Sequence, residues 1–144
     1  LHPSRLAARL RDFNRLPMRL LYTARNAADI AREPDQIQGR MTVQVLKYKD
    51  GNLPVEAHFD SFNSLPLRVI YTESDPIYGD TLNELAFSDW KESDGVRQPH
   101  TLSYFLNGEK IREERMRTLI NNGKMDEAAF AIPPEVRAQP ANGA

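Results

Sequence analysis

Two turn dipeptides constrain this chain more than any other feature. Residues 87–109 carry Asp94-Gly95 and Asn107-Gly108, each set between segments that alternate apolar and polar side chains. Asp-Gly and Asn-Gly favour the positive-φ conformations that two-residue hairpins need. The stretch is therefore two strands around one turn, with a second turn directly after. The middle of the chain is expected to be an antiparallel meander.

The same period of two extends to either side. Met41, Val43 and Val45 alternate with Thr42 and Gln44, and Lys49-Asp50-Gly51-Asn52 is a turn. Leu53, Val55, Ala57 and Phe59 then alternate with Glu56, His58 and Asp60, a half-buried strand pattern. Pro54 is tolerable there, because an early strand position can do without a donor. Residues 61–66 turn the chain, Leu67, Val69 and Tyr71 share a face, and residues 75–80 form the next loop. Strands over 81–90, 101–106 and 110–120 complete about six in series across residues 40–122. Short connections make each strand antiparallel to its predecessor.

Ahead of the strands the period is helical. Leu6, Leu10 and Phe13 form one stripe. After a break, Pro17 restarts a helix whose stripe is Met18, Leu21, Ala24 and Ala28, with Leu20 and Ala27 along its edge. Helices are expected within residues 3–33, and a connecting loop over 34–39. A meander with one apolar face must cover it, and burying one Leu, Val or Phe is worth roughly 1.5–3 kcal/mol. Strand twist accumulates, so the sheet should curl around the helices. The expected fold class is α+β: a curved antiparallel meander, or half-barrel, packed on two N-terminal helices. It would span residues 1–133, with 134–144 a tail or linker, since Pro133-Pro134, Pro140 and Gly143 close the chain without any period.

At 144 residues with a net charge of −1, the chain is long enough for one core and lacks the clustered basic surplus of a nucleic-acid binder. No apolar run reaches the length of a membrane span. There is no cysteine, which excludes disulfides, thiolate metal sites and a cysteine nucleophile. It leaves the redox compartment undecided, so periplasmic and secreted locations stay open. The sequence begins at Leu1 without methionine, and a processed protein or a piece of a longer one is expected.

Candidate chemistry is sparse. His2, His58 and His100 lie far apart, and no His-x-His-x-Asp-His or His-Glu-x-x-His run exists. His58, beside Glu56 and Asp60, reads as part of a solvated strand face rather than a cross-strand metal or acid–base site. His100, after Pro99 at a strand start, is read the same way. Glu73, Asp75 and Asp80 could offer oxygens to calcium, but they match no calcium loop and read as turn chemistry around Pro76 and Gly79. Asp89 and Asp94 flank Trp90 at a solvated hairpin end. Arg112-Glu113-Glu114-Arg115 puts one acid and one base on each strand face, as a charged edge strand would. Arg9, Arg11, Arg15 and Arg19 give the helices positive character that acids elsewhere balance. No nucleophile elbow or phosphate loop is present. Phe59, Tyr71, Trp90 and Tyr104 on strands and Tyr22 on a helix are the candidate lining of an apolar cavity, should the helices leave the concave face unfilled.

Four motifs in order carry a resemblance. They are Asp75-Pro76-x-Tyr78-Gly79-Asp80, Phe87-Ser88-Asp89-Trp90, Asp94-Gly95-Val96-x-x-Pro99-His100-Thr101 and Asn107-Gly108-Glu109. Together they resemble the accessory N-terminal domain of some metallo-β-lactamase-fold hydrolases. That domain is itself similar to the lipoprotein-localisation-factor (LolA-like) half-barrel. Phe130-Ala131-Ile132-Pro133 resembles the segment leading out of such a domain, and the likeness covers residues 65–133. The hydrolases' metal site needs a His-x-His-x-Asp-His run that this chain lacks, so no catalytic or metal-binding residue carries across. The resemblance implies a non-catalytic accessory domain without a cofactor of its own. Its partner would be the catalytic domain of a parent chain or of another protein. The half-barrel's relatives imply the alternative of a carrier or sensor for an apolar ligand, such as a lipid or lipoprotein. A stand-alone enzyme using cross-strand carboxylates finds no ordered constellation to support it.

Overall fold

The computed structural model describes residues 3–75, 77, 79–121 and 123–134. The turn residues Pro76 and Tyr78, the terminal His2 and the expected tail from residue 135 onward lie outside the described residues. Two helices, α1 (Pro3–Asn14) and α2 (Pro17–Arg25), precede one sheet. Its strands are β1 (Ala31–Gln38), β2 (Met41–Asp50), β3 (Leu53–Asp60), β4 (Pro66–Asp75), β5 (Gly79–Ser93), β6 (Val96–Leu106) and β7 (Glu109–Arg115). All seven pair antiparallel in sequence order, as an open, half-barrel-like sheet in an α+β chain. A short 3₁₀ turn, Glu127–Phe130, follows.

The two dipeptides do what their chemistry requires. Asp94 and Gly95 have φ of 53° and 74°, and Asn107 and Gly108 have 51° and 85°. The second turn is also tied to β5. Asn107 N–H donates to the Leu82 carbonyl at 2.7 Å, and Leu82 N–H donates to Asn107 Oδ1 at 2.9 Å.

Three expectations need correction. The helical region stops at Arg25, not 33, because Asn26 turns back on the last turn and its Nδ2 donates to the Tyr22 carbonyl at 2.7 Å. Asp29 then accepts the Lys49 N–H at 3.1 Å and guides the chain to the edge of β2. Residues 31–38, expected as helix end and loop, are instead the strand β1, one more than the six expected. The register of β1 shifts between Glu33 and Gln36, where Pro34 cannot donate to a ladder. The last strand ends at Arg115 rather than near 120. Met116 N–H donates to the His100 carbonyl at 2.8 Å, and its own carbonyl lies 3.0 Å from His100 Nδ1, after which pairing stops.

The core lies between α2 and one sheet face. Leu20 and Ala24 join Tyr48, Val55, Ala57, Phe59, Val69, Leu85, Phe87 and Leu102 in one buried cluster. Pairing of Val55 with Tyr71, of Ala57 with Val69 and of Val69 with Leu85 places these side chains on the same face. The α2 stripe is rotated from the expected one. The edge residue Leu20 is buried, whereas Met18 and Leu21 are exposed. Leu6, Leu10 and Phe13 on α1 are about half exposed as well. Trp90 also packs against the core. It lies three residues after Phe87, which simple alternation forbids; Asp89, at φ 53°, breaks the period.

Candidate functional site

The corner between the helices carries the only long charged side chain among the fully buried ones described. Arg15, two residues before Pro17, is 2 % exposed. Its Nη1 donates to Glu73 Oε1 at 2.9 Å and lies 3.7 Å from Asp12 Oδ1. Its guanidinium carbon sits 3.4 Å from the centre of the Tyr71 ring. Arg15 therefore pins the helix corner to β4 through a charge-assisted hydrogen bond and a stacked ring. Arg15 Nε and Nη2, both buried, make no hydrogen bond within the protein.

Beside this pin the helices leave the sheet uncovered, and a cleft of about 580 Å³ opens. Arg9, Phe13 and Leu16 form its helical side; Tyr71, Glu73, Asn83, Leu85, Tyr104 and Arg112 come from β4 to β7. Arg112 repeats the motif of Arg15, with its guanidinium carbon 3.8 Å from the Tyr104 ring centre. Arg112 Nε lies 3.3 Å from Glu114 Oε1, and Tyr104 Oη donates to Glu114 Oε2 at 3.3 Å. Burial raises the Tyr71 and Tyr104 phenols above the ordinary tyrosine value, while the stacked arginines pull the other way. Both rings therefore stay neutral at physiological pH. The four guanidiniums of this cluster (Arg9, Arg11, Arg15 and Arg112) face three carboxylates (Asp12, Glu73 and Glu114).

The five expected cavity residues have different fates. Tyr71 and Tyr104 line this cleft together. Trp90 lines a second one, of about 250 Å³, with Met18, Leu21 and Pro66. Phe59 is in the packed core. Tyr22 is exposed on α2, with Arg19 over its ring at 4.5 Å. Sequence reasoning missed Arg15 as a cleft residue. It stood in a run of arginines, and nothing in the spacing singled it out for burial.

The sheet's other face holds a chain of polar contacts across five strands. Glu33 and Glu56 flank Lys47 at 3.8 and 3.6 Å. Glu56 Oε1 lies 2.6 Å from His58 Nε2, Arg68 Nε donates to His58 Nδ1 at 3.1 Å, and Arg68 Nη1 reaches Glu84 at 3.4 Å. The expectation of a solvated His58 is corrected here: it lies on the polar face but is only 2 % exposed, beside the buried Val45 opposite it in the ladder. Arg68 can only donate, so Nδ1 is the acceptor and Nε2 carries the proton to Glu56. With both ring nitrogens engaged, His58 has no lone pair to offer a metal. Among the described residues no three His, Cys, Asp or Glu side chains gather where they could hold an ion.

No described helix is long and apolar enough to cross a membrane. Comparison with family models, with curated proteins and with solved structures gives no match to this chain.

Proposed function

We propose that this chain is a non-catalytic accessory domain that packs on, or shapes access to, the catalytic domain of a metallo-β-lactamase-fold hydrolase. That catalytic domain belongs to the same polypeptide or to another. The observation that carries the reading is the set of half-exposed apolar side chains on the helix pair. Leu6, Leu10, Phe13, Met18, Leu21 and Tyr22 are each 50–58 % exposed. Arg19 stacks over both Phe13, at 5.2 Å, and Tyr22, at 4.5 Å, and so links one ring of each helix. Large continuous apolar patches mark interaction surfaces.

The sheet edges are poor alternatives for docking. β1 carries Pro34 and an irregular register, and β7 is laced with pairs such as Lys110–Glu113 and Arg115–Glu113. Such edges resist strand addition. The order of turn motifs and the lack of a gathered ligand set among the described residues favour an accessory role over a catalytic one. The carrier reading keeps one supporting observation, the cleft shared by Tyr71 and Tyr104. The test is metal analysis with hydrolase assays on this chain. The accessory reading expects neither stoichiometric zinc nor turnover; finding both would overturn it.

A further inference from the structure

We infer that the cleft between the helix corner and β4–β7 binds an organic anion, a carboxylate or phosphate ester carried on an apolar body. The inference rests on the carrier reading and deepens it by naming the ligand's chemistry; of the proposed docking face it uses Phe13. The cleft's volume, about 580 Å³, falls within the roughly 300–1,000 Å³ of small-molecule sites. Phe13, Leu16 and Leu85 supply apolar wall, Arg9, Arg15 and Arg112 supply positive charge, and Asp12 and Glu73 supply negative charge.

The charges pair off, but not every donor does. Glu73 is held by Arg15 at 2.9 Å with Arg11 at 3.8 Å, and Asp12 lies between Arg9 at 3.8 Å and Arg15 at 3.7 Å. Glu114 answers Arg112. The three lining guanidiniums (Arg9, Arg15 and Arg112) thus meet three carboxylates (Asp12, Glu73 and Glu114), but Arg15 keeps two buried N–H-bearing nitrogens unanswered. A guanidinium's buried N–H groups left without an acceptor cost free energy, which a carboxylate or phosphate oxygen recovers by charge-assisted hydrogen bonds.

The stacks shape the recognition. A guanidinium lying flat on an aromatic ring uses its face and keeps its in-plane N–H groups for hydrogen bonds. Arg112, stacked on Tyr104 and more than half exposed, is the direct donor to the anion, and Arg15 beneath offers its unanswered N–H-bearing nitrogens. A neutral apolar ligand would leave these donors unanswered and shut off from water, which costs binding energy.

The experiment titrates the chain with four probes below their micelle concentrations: decanoate, decyl phosphate, decanol and decyltrimethylammonium. Binding is read by NMR shifts of the Asn83 side-chain amide and the Tyr104 ring. The expected result is saturable binding of one or both anions, weak or no binding of the others, and a loss of about tenfold in anion affinity in Arg112→Gln, the scale of one charge-assisted hydrogen bond. Decanoate and decyl phosphate separate carboxylate from phosphate ligands. Equal binding of decanol, unchanged in Arg112→Gln, would overturn the anion inference while sparing the carrier reading. No binding of any probe would overturn both. Arg112 is exposed, so its variant folds; the far-UV spectrum checks this.

Discussion

The two helices carry similar apolar stripes and meet opposite fates. On α2, Leu20 and Ala24 disappear into the core against β2 to β6. On α1, Leu6, Leu10 and Phe13 stay about half exposed. The anchors near α1 are polar: Arg15 and Arg11 on Glu73, and Asn14 Nδ2 donating to Asp50 at 3.2 Å. The contrast teaches that a helical period locates an apolar face without saying what covers it. One helix spends its face on the fold, and the other keeps its face available.

Truncations should separate the helices most sharply. Leu20→Ala should cost about 2–5 kcal/mol of unfolding free energy, because it empties a fully buried site. Leu10→Ala should stay within about 0.5 kcal/mol, as surface changes usually do. Urea denaturation of both variants measures the gap, and equal losses would break the comparison. Next in size is the polar anchor. Glu73→Gln should cost about 2 kcal/mol, below the 3–5 kcal/mol of a fully buried pair, because the Glu73 side chain is 34 % exposed and water answers part of the loss. Chemical-shift changes confined to the helix corner and β4 would locate the effect.

The face away from the helices offers a smaller contrast. His58→Leu removes the link between Glu56 and Arg68 at a buried position and should cost about 1 kcal/mol. Smallest is an alkaline effect. Burial, with Asp50 nearby, holds the Tyr48 phenol well above the ordinary tyrosine value of 10.0. A raised folded-state pKa means that the native state keeps its proton longer than the unfolded chain. Stability is therefore complete below pH 10 and falls as pH rises beyond it. Tyr48→Phe should flatten that fall without abolishing it, since Tyr71 and Tyr104 are raised too. Thermal melts from pH 8 to about 11 would reveal it.

What the sequence made legible follows from local chemistry. The Asp94-Gly95 and Asn107-Gly108 turns were readable because few other dipeptides tolerate their backbone angles. β3 was readable because Val55, Ala57 and Phe59 face the core by strict alternation. β1 was not: its sequence, AREPDQIQ, lacks an alternating apolar set, and its backbone pairing with β2 leaves no pattern in the side chains. Trp90 could be placed on a strand but not on a face, because the positive φ at Asp89 resets the alternation without a glycine to announce it. The candidate cleft was half legible. Tyr71 and Tyr104 stood out as strand aromatics, while Arg15 and Arg112 acquire their roles only from tertiary placement over those rings.

The claim on which the account turns is that the exposed face of the helix pair is a docking surface for a hydrolase domain. Site-specific photo-crosslinking within the full-length gene product tests it, with the reactive side chain at Leu10 and a control at Ile111 on the charged edge strand. The account predicts efficient crosslinks from Leu10, mapping to a polypeptide segment near a His-x-His-x-Asp-His run, and few from Ile111. Equal yields from the two positions, or crosslinks from Leu10 to a protein without that metal motif, would contradict it.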